Sequence, residues 1–182
     1  MTSLKEFMDY TRSRPGQINY GSAGNGGISH LVPEMFKTAT GLYLVHIPYR
    51  GSAPAFQDLM AGQVQMSFDT MASVLPHIKS GKLKALAVTT AQRSAALPDI
   101  PAVAETLKGF QIDTWWGLVA PAGTPKPVIA KLNKAFVAAL NAPETRTRFG
   151  ALLAEPVPTT PEQFDAFMAS ERAKYQSLVK AS

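Results

Sequence analysis

The sequence of 182 residues contains no cysteine and no long apolar run. The lack of cysteine excludes a disulfide-stapled scaffold and any zinc or iron–sulfur site built on cysteine ligands. The three histidines, His30, His46 and His77, are widely spaced and form no HExxH pattern, so we predict no metal site and no cofactor. No apolar stretch approaches the roughly 18 residues that a membrane-spanning helix needs.

The N-terminus also lacks the pattern of a secretory signal peptide. The first residues already read as an amphipathic helix, and no basic segment is followed there by an apolar one. A chain expressed as written is therefore expected in the cytoplasm.

Basic residues exceed acidic ones, but they are not clustered. The formal net charge is +5, a balance that by itself suggests nucleic acid or another anionic partner. The densest basic runs, at 79–84 and 146–148, contain no interleaved aromatic residues. We therefore predict no nucleic-acid partner, whereas a small anionic ligand remains compatible because one or two placed groups are enough to bind it.

Strand and helix patterns alternate along the chain. Strands are predicted at 17–21, 43–47, 64–69 and 83–89, with a loop at 91–101 and an extended segment at 112–120. Two helices are predicted with both ends, at 3–14 and at 52–60, and a further short helix is predicted to end at 80. Four more are predicted to begin at 28, after 125, at 143 and at 160. This alternation predicts an α/β fold with a mainly parallel sheet, whose ligands bind beyond the carboxyl ends of the strands.

Two helix starts carry pairs that are typical of capping. Ser3 is followed three residues later by Glu6, and Thr160 by Gln163. These pairs predict that the first and last helices begin at those positions.

The most unusual segment is the glycine-rich run between the first strand and its helix. It consists of Gly21, Ser22, Ala23, Gly24, Asn25, Gly26 and Gly27. Glycines let a ligand approach the backbone amides, and the free amides and dipole of a helix N-terminus favour an anion such as a carboxylate. The run has neither the Lys-Ser/Thr of a P-loop nor the GxGxxG spacing of a dinucleotide site. A connector that only makes a tight turn is the alternative.

A serine hydrolase is a second interpretation of the same segment. Ser22, Asp69 and His77 follow the Ser…Asp…His order of α/β-hydrolases. Tyr20 stands where the GxSxG motif of a nucleophile elbow requires glycine. One short helix separates Asp69 from His77, which counts against a triad.

Other candidate residues each allow two interpretations. Asp69 ends an apolar strand, where its carboxylate would accept a hydrogen bond from a ligand or cap the next helix. His30 lies one turn into the helix after the glycine run and would face the anion or be satisfied within the core. Trp115 and Trp116 are adjacent, so on a strand they face opposite sides, one to the core and one to a cleft.

Taken together, the motifs resemble one protein family along nearly the whole chain. The matching stretches are 4–7, 15–26, 29–31, 45–51, 58–64, 68–69, 75–83, 97–101 and 116–125. In this order they are similar to the tripartite tricarboxylate transporter receptors, the Bug or TctC-like extracytoplasmic solute-binding proteins.

The resemblance implies a type II periplasmic-binding-protein fold, in which two α/β lobes close on a ligand. It implies that the loop Gly21–Gly26 grips a carboxylate through backbone amides. Specificity is expected from the region of Asp69 and from the loop at 48–51, which contains Tyr49. The implied ligands are small organic acids: dicarboxylates, tricarboxylates, amino acids or aromatic carboxylates. The implied partner is a membrane permease, the implied location is the periplasm, and no enzymatic activity is expected.

The resemblance also predicts how the chain is divided. Family members begin with a signal peptide and a first-lobe segment, and this chain starts where the second lobe starts, as an N-terminally truncated form. Residues 1–111 are then expected to form the complete second lobe, and residues 112–182 the hinge crossing and the C-terminal part of the first. The apolar stripes at 128–140 and 164–179 would lack part of their covering, which predicts exposed apolar surface and self-association.

Overall fold

The computed structural model of the protein describes residues 1–94 and 97–181. The chain divides into two compact units: unit 1 comprises Met1–Thr114 and the end of the chain from Leu178, and unit 2 begins at Trp115 and ends at Ser177. Ala95 and Ala96 of the predicted loop, and Ser182 of the predicted second segment, lie outside the described residues. The division into lobes at residue 111 stays a prediction.

Unit 1 alternates short parallel strands with helices. Its elements are α1 (Leu4–Arg12), β1 (Asn19–Ser22), α2 (Ile28–Thr40), β2 (Val45–Pro48), α3 (Ser52–Met60), β3 (Met66–Ser67), α4 (Met71–Lys79) and a 3-10 turn (Val103–Glu105). The sheet has the order β2-β1-β3, and both pairings are parallel. The predicted α/β fold with a parallel sheet is confirmed.

Helix α1 forms where the sequence predicts it, with half of the predicted capping pair. The hydroxyl of Ser3 accepts a hydrogen bond from the Glu6 amide at 3.1 Å. The Glu6 carboxylate reaches past Ser3 and accepts from the Thr2 amide instead. The helix then buries the apolar face expected from its spacing, including Leu4 and Phe7.

The core of unit 1 lies around the central strand. Tyr20 and Ser22 of β1 are fully buried, as is Phe36 of α2. The Phe36 ring packs against Phe68, with centroids 5.8 Å apart, and meets Phe110 edge-on. A central strand covered in this way positions the loops at its carboxyl end rigidly.

Two of the predicted strands are wrong in extent. Residues 83–89 form no strand, and their one ladder contact is an isolated bridge from Val88 to Ala102. Pro101 has no amide hydrogen and a 3-10 turn begins at Val103, so the neighbouring segment cannot extend the ladder. β3 likewise covers two residues of the predicted 64–69, and residues 112–120 belong to no helix or strand.

Unit 2 contains two whole helices, α5 (Lys126–Asn141) and α6 (Pro143–Ala151), and α7 (Pro161–Ala181) as far as Ser177. The predicted capping pair at the start of α7 is present in both directions: the Thr160 amide donates to the Gln163 side chain, and the Gln163 amide donates to the Thr160 hydroxyl. The Asn133 amide group donates to the Thr159 carbonyl and so ties α5 to the start of α7.

An aromatic cluster attaches the extended segment to α7. The Trp115 ring meets Phe164 and Phe167 nearly at right angles, and its indole N–H donates to Glu171 at 3.1 Å. Trp116 is 71% exposed. The two tryptophans therefore differ in environment as predicted, with Trp115 packed inward.

The predicted inner face of α5 is exposed. Val128, Leu132 and Phe136 are 45%, 43% and 45% exposed, and no residue of the helix is buried. Leu118 and Val119 in the preceding segment are also exposed. The amphipathic stripe is thus present in the sequence, but nothing in the described residues covers it.

Candidate functional site

Three strand-to-helix loops of unit 1 lie at one edge of the sheet. β1, β2 and β3 are parallel, and each is followed directly by a helix, so the N-termini of α2, α3 and α4 converge there. The Tyr49 amide donates to the Ser22 carbonyl at 2.9 Å, and the Gly51 amide donates to the Ala23 carbonyl at 3.1 Å. The first two loops are therefore held against each other by backbone hydrogen bonds.

The glycine loop between β1 and α2 presents unused amides. Gly24 and Gly26 have φ values of 138° and 76°, which residues with a side chain rarely adopt. Within the part of the chain that the structure describes, the amides of Asn25 and of residues 27–29 donate to no protein acceptor. Free amides at a helix N-terminus attract negative charge. These amides are the groups that an anion at the loop would contact, and the anion-binding role of the loop stays a prediction.

His46 is a neighbour of the glycine loop that sequence reasoning missed. The His46 Nε2 lies 2.6 Å from the Ser22 hydroxyl oxygen. Its ring stacks between Tyr20 and His30, with centroid separations of 4.7 Å and 4.2 Å. The register pairs Tyr20 with His46 across β1 and β2, so assigning that pairing would have placed His46 on the same face as Ser22.

His30 contacts the loop itself. Its Nδ1 accepts a hydrogen bond from the Gly26 amide at 3.2 Å. The ring is half-buried beside the loop and is not enclosed in the core, which was one of its two predicted environments. Ser29, a second residue that sequence reasoning missed, accepts a hydrogen bond from the Ala23 amide at the start of the same loop.

Asp69 lies at the third loop, tethered on both oxygens. Its Oδ2 accepts from the Ser52 hydroxyl at 2.6 Å, and its Oδ1 accepts from the Thr70 amide at 2.7 Å. Ser52 is the first residue of α3, so this bond joins the second loop to the third. The carboxylate keeps lone pairs for a further donor, which is compatible with the predicted contact to a ligand hydroxyl or amine.

Tyr49 is fixed in the second loop by Asp58. Its hydroxyl donates to the Asp58 carboxylate at 2.7 Å, and this bond raises the pKa of the tyrosine. A Cβ on Gly21 would lie 3.4 Å from the Tyr49 ring. The ring therefore packs over the base of the glycine loop.

The predicted triad is not assembled. Ser22 is fully buried and its partner is His46, Asp69 is bonded to Ser52, and the His77 ring meets Phe56 edge-on with centroids 5.6 Å apart. Among residues 1–94 and 97–181, no hydrogen bond joins His77 to either of the other two. The structure therefore does not bring Ser22, Asp69 and His77 together, because each side chain contacts a different neighbour.

In the described part of the chain, no three or more His, Asp or Glu side chains are grouped so that they could hold a metal ion. In the same residues, none of the helices has the length and hydropathy that a bilayer crossing requires.

The environment of His46 predicts a pH dependence of stability. Burial lowers the pKa of His46 below its ordinary 6.5, and the neighbouring His30 lowers it further. Below pH 6.5 the unfolded chain therefore binds more protons than the folded one, and stability is lost as the pH falls toward the folded-state pKa. We expect the Tm to fall between about pH 7.5 and about pH 5.5, and His46→Gln to remove part of that fall.

His77→Gln is the matched control, since it removes a histidine that lies outside the loop cluster. Glu34 does not interfere in this window: burial raises its pKa, but hydrogen bonds from Lys37 and Tyr20 outweigh that effect and hold it below 4.5. A fall in Tm of unchanged size in His46→Gln would contradict the assignment.

The whole chain matches one protein-family description. Residues 1–182 match "Tripartite tricarboxylate transporter family receptor", abbreviated TctC. The chain is 35% identical to Protein BugT of Bordetella pertussis over 181 residues, which are 99% of this chain and 56% of that protein. It is 34% identical over 178 residues to the UPF0065 protein in the tcbD-tcbE intergenic region of Pseudomonas sp. (strain P51), covering 97% and 53%. The chain spans about half the length of these curated relatives.

Solved structures show the same fold at similar identity. Rpa4515 of R. palustris, solved with adipate, superposes with a TM-score of 0.94 at 32% identity, covering 100% of this chain and 61% of that one. The periplasmic binding protein BugD gives 0.88 at 37% identity, with coverage of 99% and 61%. MatC of Rhodopseudomonas palustris, with bound malate, gives 0.83 at 32% identity, with coverage of 97% and 62%.

Proposed function

Because the chain belongs to the tripartite tricarboxylate transporter receptor family, we propose that unit 1 binds a small organic carboxylate at the edge where its three loops meet. The family is extracytoplasmic and its structurally known relatives are binding proteins. The proposal extends to the whole protein as a periplasmic solute receptor that delivers its ligand to a membrane permease and catalyses no reaction.

The unused amides of the glycine loop are the observation that carries the proposal. Asn25 and residues 27–29 offer several N–H groups at the N-terminus of α2, and the α3 and α4 N-termini lie at the same edge. Such a cluster stabilises negative charge without any cationic side chain. Two relatives of the same fold were solved with adipate and with malate, which favours dicarboxylates and hydroxycarboxylates within the proposed class of small organic carboxylates.

Asp69 limits which acids fit. Its carboxylate would repel a second ionised carboxylate placed directly against it, and it would accept a hydrogen bond from a hydroxyl or ammonium group. Dicarboxylates, tricarboxylates, amino acids and aromatic carboxylates all remain in the proposed class. The order of their affinities depends on how far each acid places its second polar group from the carboxylate bound at the glycine loop.

A thermal-shift screen tests the proposal on the 182-residue chain. Malate, adipate, aspartate, citrate and benzoate are compared at equal ionic strength, with sodium chloride as the reference. Binding to the folded state raises the Tm by mass action, so at least one acid should raise it in a saturable, concentration-dependent way. The absence of stabilisation by every acid would overturn the proposal for this chain.

The esterase interpretation has a simple discriminating test. A nucleophile must reach its substrate, and Ser22 is fully buried beneath the glycine loop. Any hydrolysis of an activated ester by the purified protein should therefore be the same in Ser22→Ala. A rate that falls in this variant would support the hydrolase instead.

We also propose that the exposed apolar face of unit 2 binds a second copy of this chain. Val128, Leu132 and Phe136 repeat every four residues along α5 and so form one continuous stripe. Apolar stripes of this kind are covered by association when the chain itself does not cover them. Sedimentation velocity should show a mean mass that rises with concentration.

The double variant Leu132→Gln/Phe136→Gln should shift that association to higher concentration. Val157→Gln is the matched control, because Val157 is 70% exposed in unit 2 but lies outside the stripe. A protein that stays monomeric at every concentration, or a control variant that weakens association equally, would contradict this assignment.

A further inference from the structure

Two stacked histidines hold the two ends of the glycine loop. At the start of the loop, the Ser22 hydroxyl bonds to His46 Nε2 at 2.6 Å. At its end, the Gly26 amide bonds to His30 Nδ1 at 3.2 Å. The two imidazole rings stack with centroids 4.2 Å apart and an interplanar angle of 18°. The loop that carries the unused amides is therefore bonded at each end to one member of a single rigid pair.

We infer that His30 and His46 are positioning residues, which keep the glycine loop in its anion-binding conformation by bonding Gly26 and Ser22. The inference rests on the proposed carboxylate site and assigns to two side chains the task of shaping it. Neither ring needs to touch the ligand. What each ring supplies is a fixed hydrogen-bond partner for a loop whose glycines would otherwise leave it free to change conformation.

The bond from Gly26 requires a neutral His30. An imidazole nitrogen accepts a hydrogen bond only when it carries no proton, and the imidazolium form donates from both nitrogens. A side chain with no acceptor at this position would leave the Gly26 N–H without its partner. The loop end would then be released, and the amides of residues 27–29 would lose their common direction.

The surroundings of His46 oppose a second charge in the pair. The groups that face it are Tyr20 from β1 and, from α2, His30, Glu34 and Lys37. Glu34 is already engaged by the Tyr20 hydroxyl at 2.5 Å and by Lys37 at 2.8 Å. Its charge is largely offset by Lys37, so the pair gains little from becoming cationic. A charge on one ring raises the cost of a charge on the other.

A positioning role and a role as a cation for the ligand predict different results for one variant. If His30 served as a cation for the ligand, His30→Gln would weaken carboxylate binding as much as His30→Ala does. As a positioning residue, His30 can be replaced by glutamine, whose side-chain carbonyl accepts a hydrogen bond from the Gly26 amide.

The decisive test uses two readouts on the 182-residue chain, one of which needs no ligand. Amide hydrogen exchange at Gly26, followed by NMR, reports the tether directly. His30→Ala should speed that exchange by about tenfold and raise the Kd for malate by about tenfold, as expected for one lost hydrogen bond. His30→Gln, whose side-chain carbonyl can accept from Gly26, should restore both values. His46→Ala should likewise raise the Kd for malate, and His46→Gln, whose side-chain amide can bond to the Ser22 hydroxyl, should restore it.

His77→Gln is the matched control and should change neither readout. The inference is overturned if exchange at Gly26 is the same in wild type and His30→Ala, or if His30→Gln weakens malate binding as much as His30→Ala does. A wild-type chain with a protected Gly26 that binds no acid would instead overturn the proposed function and leave the tether standing. A chain that binds malate equally well with and without His30 would overturn the tether's role alone.

Discussion

Gly24→Val should weaken carboxylate binding by up to about 100-fold, because the loop conformation that presents the amides is one that valine resists. Gly24 has a φ of 138°, where a β-branched residue pays on the order of 1–3 kcal/mol. The free valine variant will relax toward a negative φ and turn the neighbouring amides away. Binding then has to supply the energy of returning the loop to its strained form.

Gly41→Val is the matched control for that experiment. Gly41 also has a positive φ, 68°, and caps the opposite end of the same helix, where a Cβ would meet only open space. Both variants therefore carry backbone strain in a segment next to α2 and should lose comparable stability. Calorimetric titration with malate should show the loss of affinity in Gly24→Val alone. Equal affinities in the two variants would contradict the assignment of the glycine loop as the anion site.

Gly117→Ala should destabilise unit 2 by about 1–3 kcal/mol, as overpacked cores generally do. A Cβ at Gly117 would overlap the Phe164 ring. That ring is already confined by Trp115 and Phe167, with centroid separations of 5.8 Å and 6.3 Å. Since Phe164 cannot move without disturbing Trp115, the strain should appear in the tryptophan fluorescence as well as in the Tm.

Gly150→Ala provides the control. Gly150 lies near the end of α6, where no atom lies within 4 Å of an added Cβ. Alanine is favoured over glycine in a helix by roughly 0.5–1 kcal/mol, so this variant should keep or raise the Tm. A Gly117→Ala protein as stable as wild type would show that the cluster around Trp115 is looser than its ring contacts indicate.

Local signals in the sequence predicted much of this structure. Ser3 and Thr160 begin helices α1 and α7, and the glycine run does form the turn from β1 into α2. These features depend on residues within a few positions of each other. The physical rules for capping and for glycine act at that range, so a single sequence contains them.

Features that depend on distant neighbours were predicted less well. Residues 83–89 are apolar enough for a buried strand, but strand formation also needs a partner with free amides, and Pro101 cannot provide one. His46 could be found only from the β1–β2 register, which pairs it with Tyr20 far back along the chain. Ser22, Asp69 and His77 follow the order of a hydrolase triad along the chain, but they do not contact one another. Ser22 bonds to His46, Asp69 bonds to Ser52, and the His77 ring packs against Phe56.

The exposed stripe of α5 shows that helical spacing predicts an apolar face but not its burial. The helical spacing of Val128, Leu132 and Phe136 correctly predicts one apolar face. Spacing alone does not say what covers that face, and in the described residues it remains 43–45% exposed. Periodicity therefore predicts the surface, and only tertiary structure shows whether it is core.

Calorimetric titration of the 182-residue chain with adipate and with its neutral diamide tests the central claim most directly. The two molecules have the same carbon skeleton and differ in the charge that the glycine loop is proposed to bind. A parallel titration compares malate with its diamide. We predict saturable binding of adipate or of malate, and no measurable binding of either diamide. Equal binding of acid and diamide, or no binding of any of the four, would contradict the proposed carboxylate site.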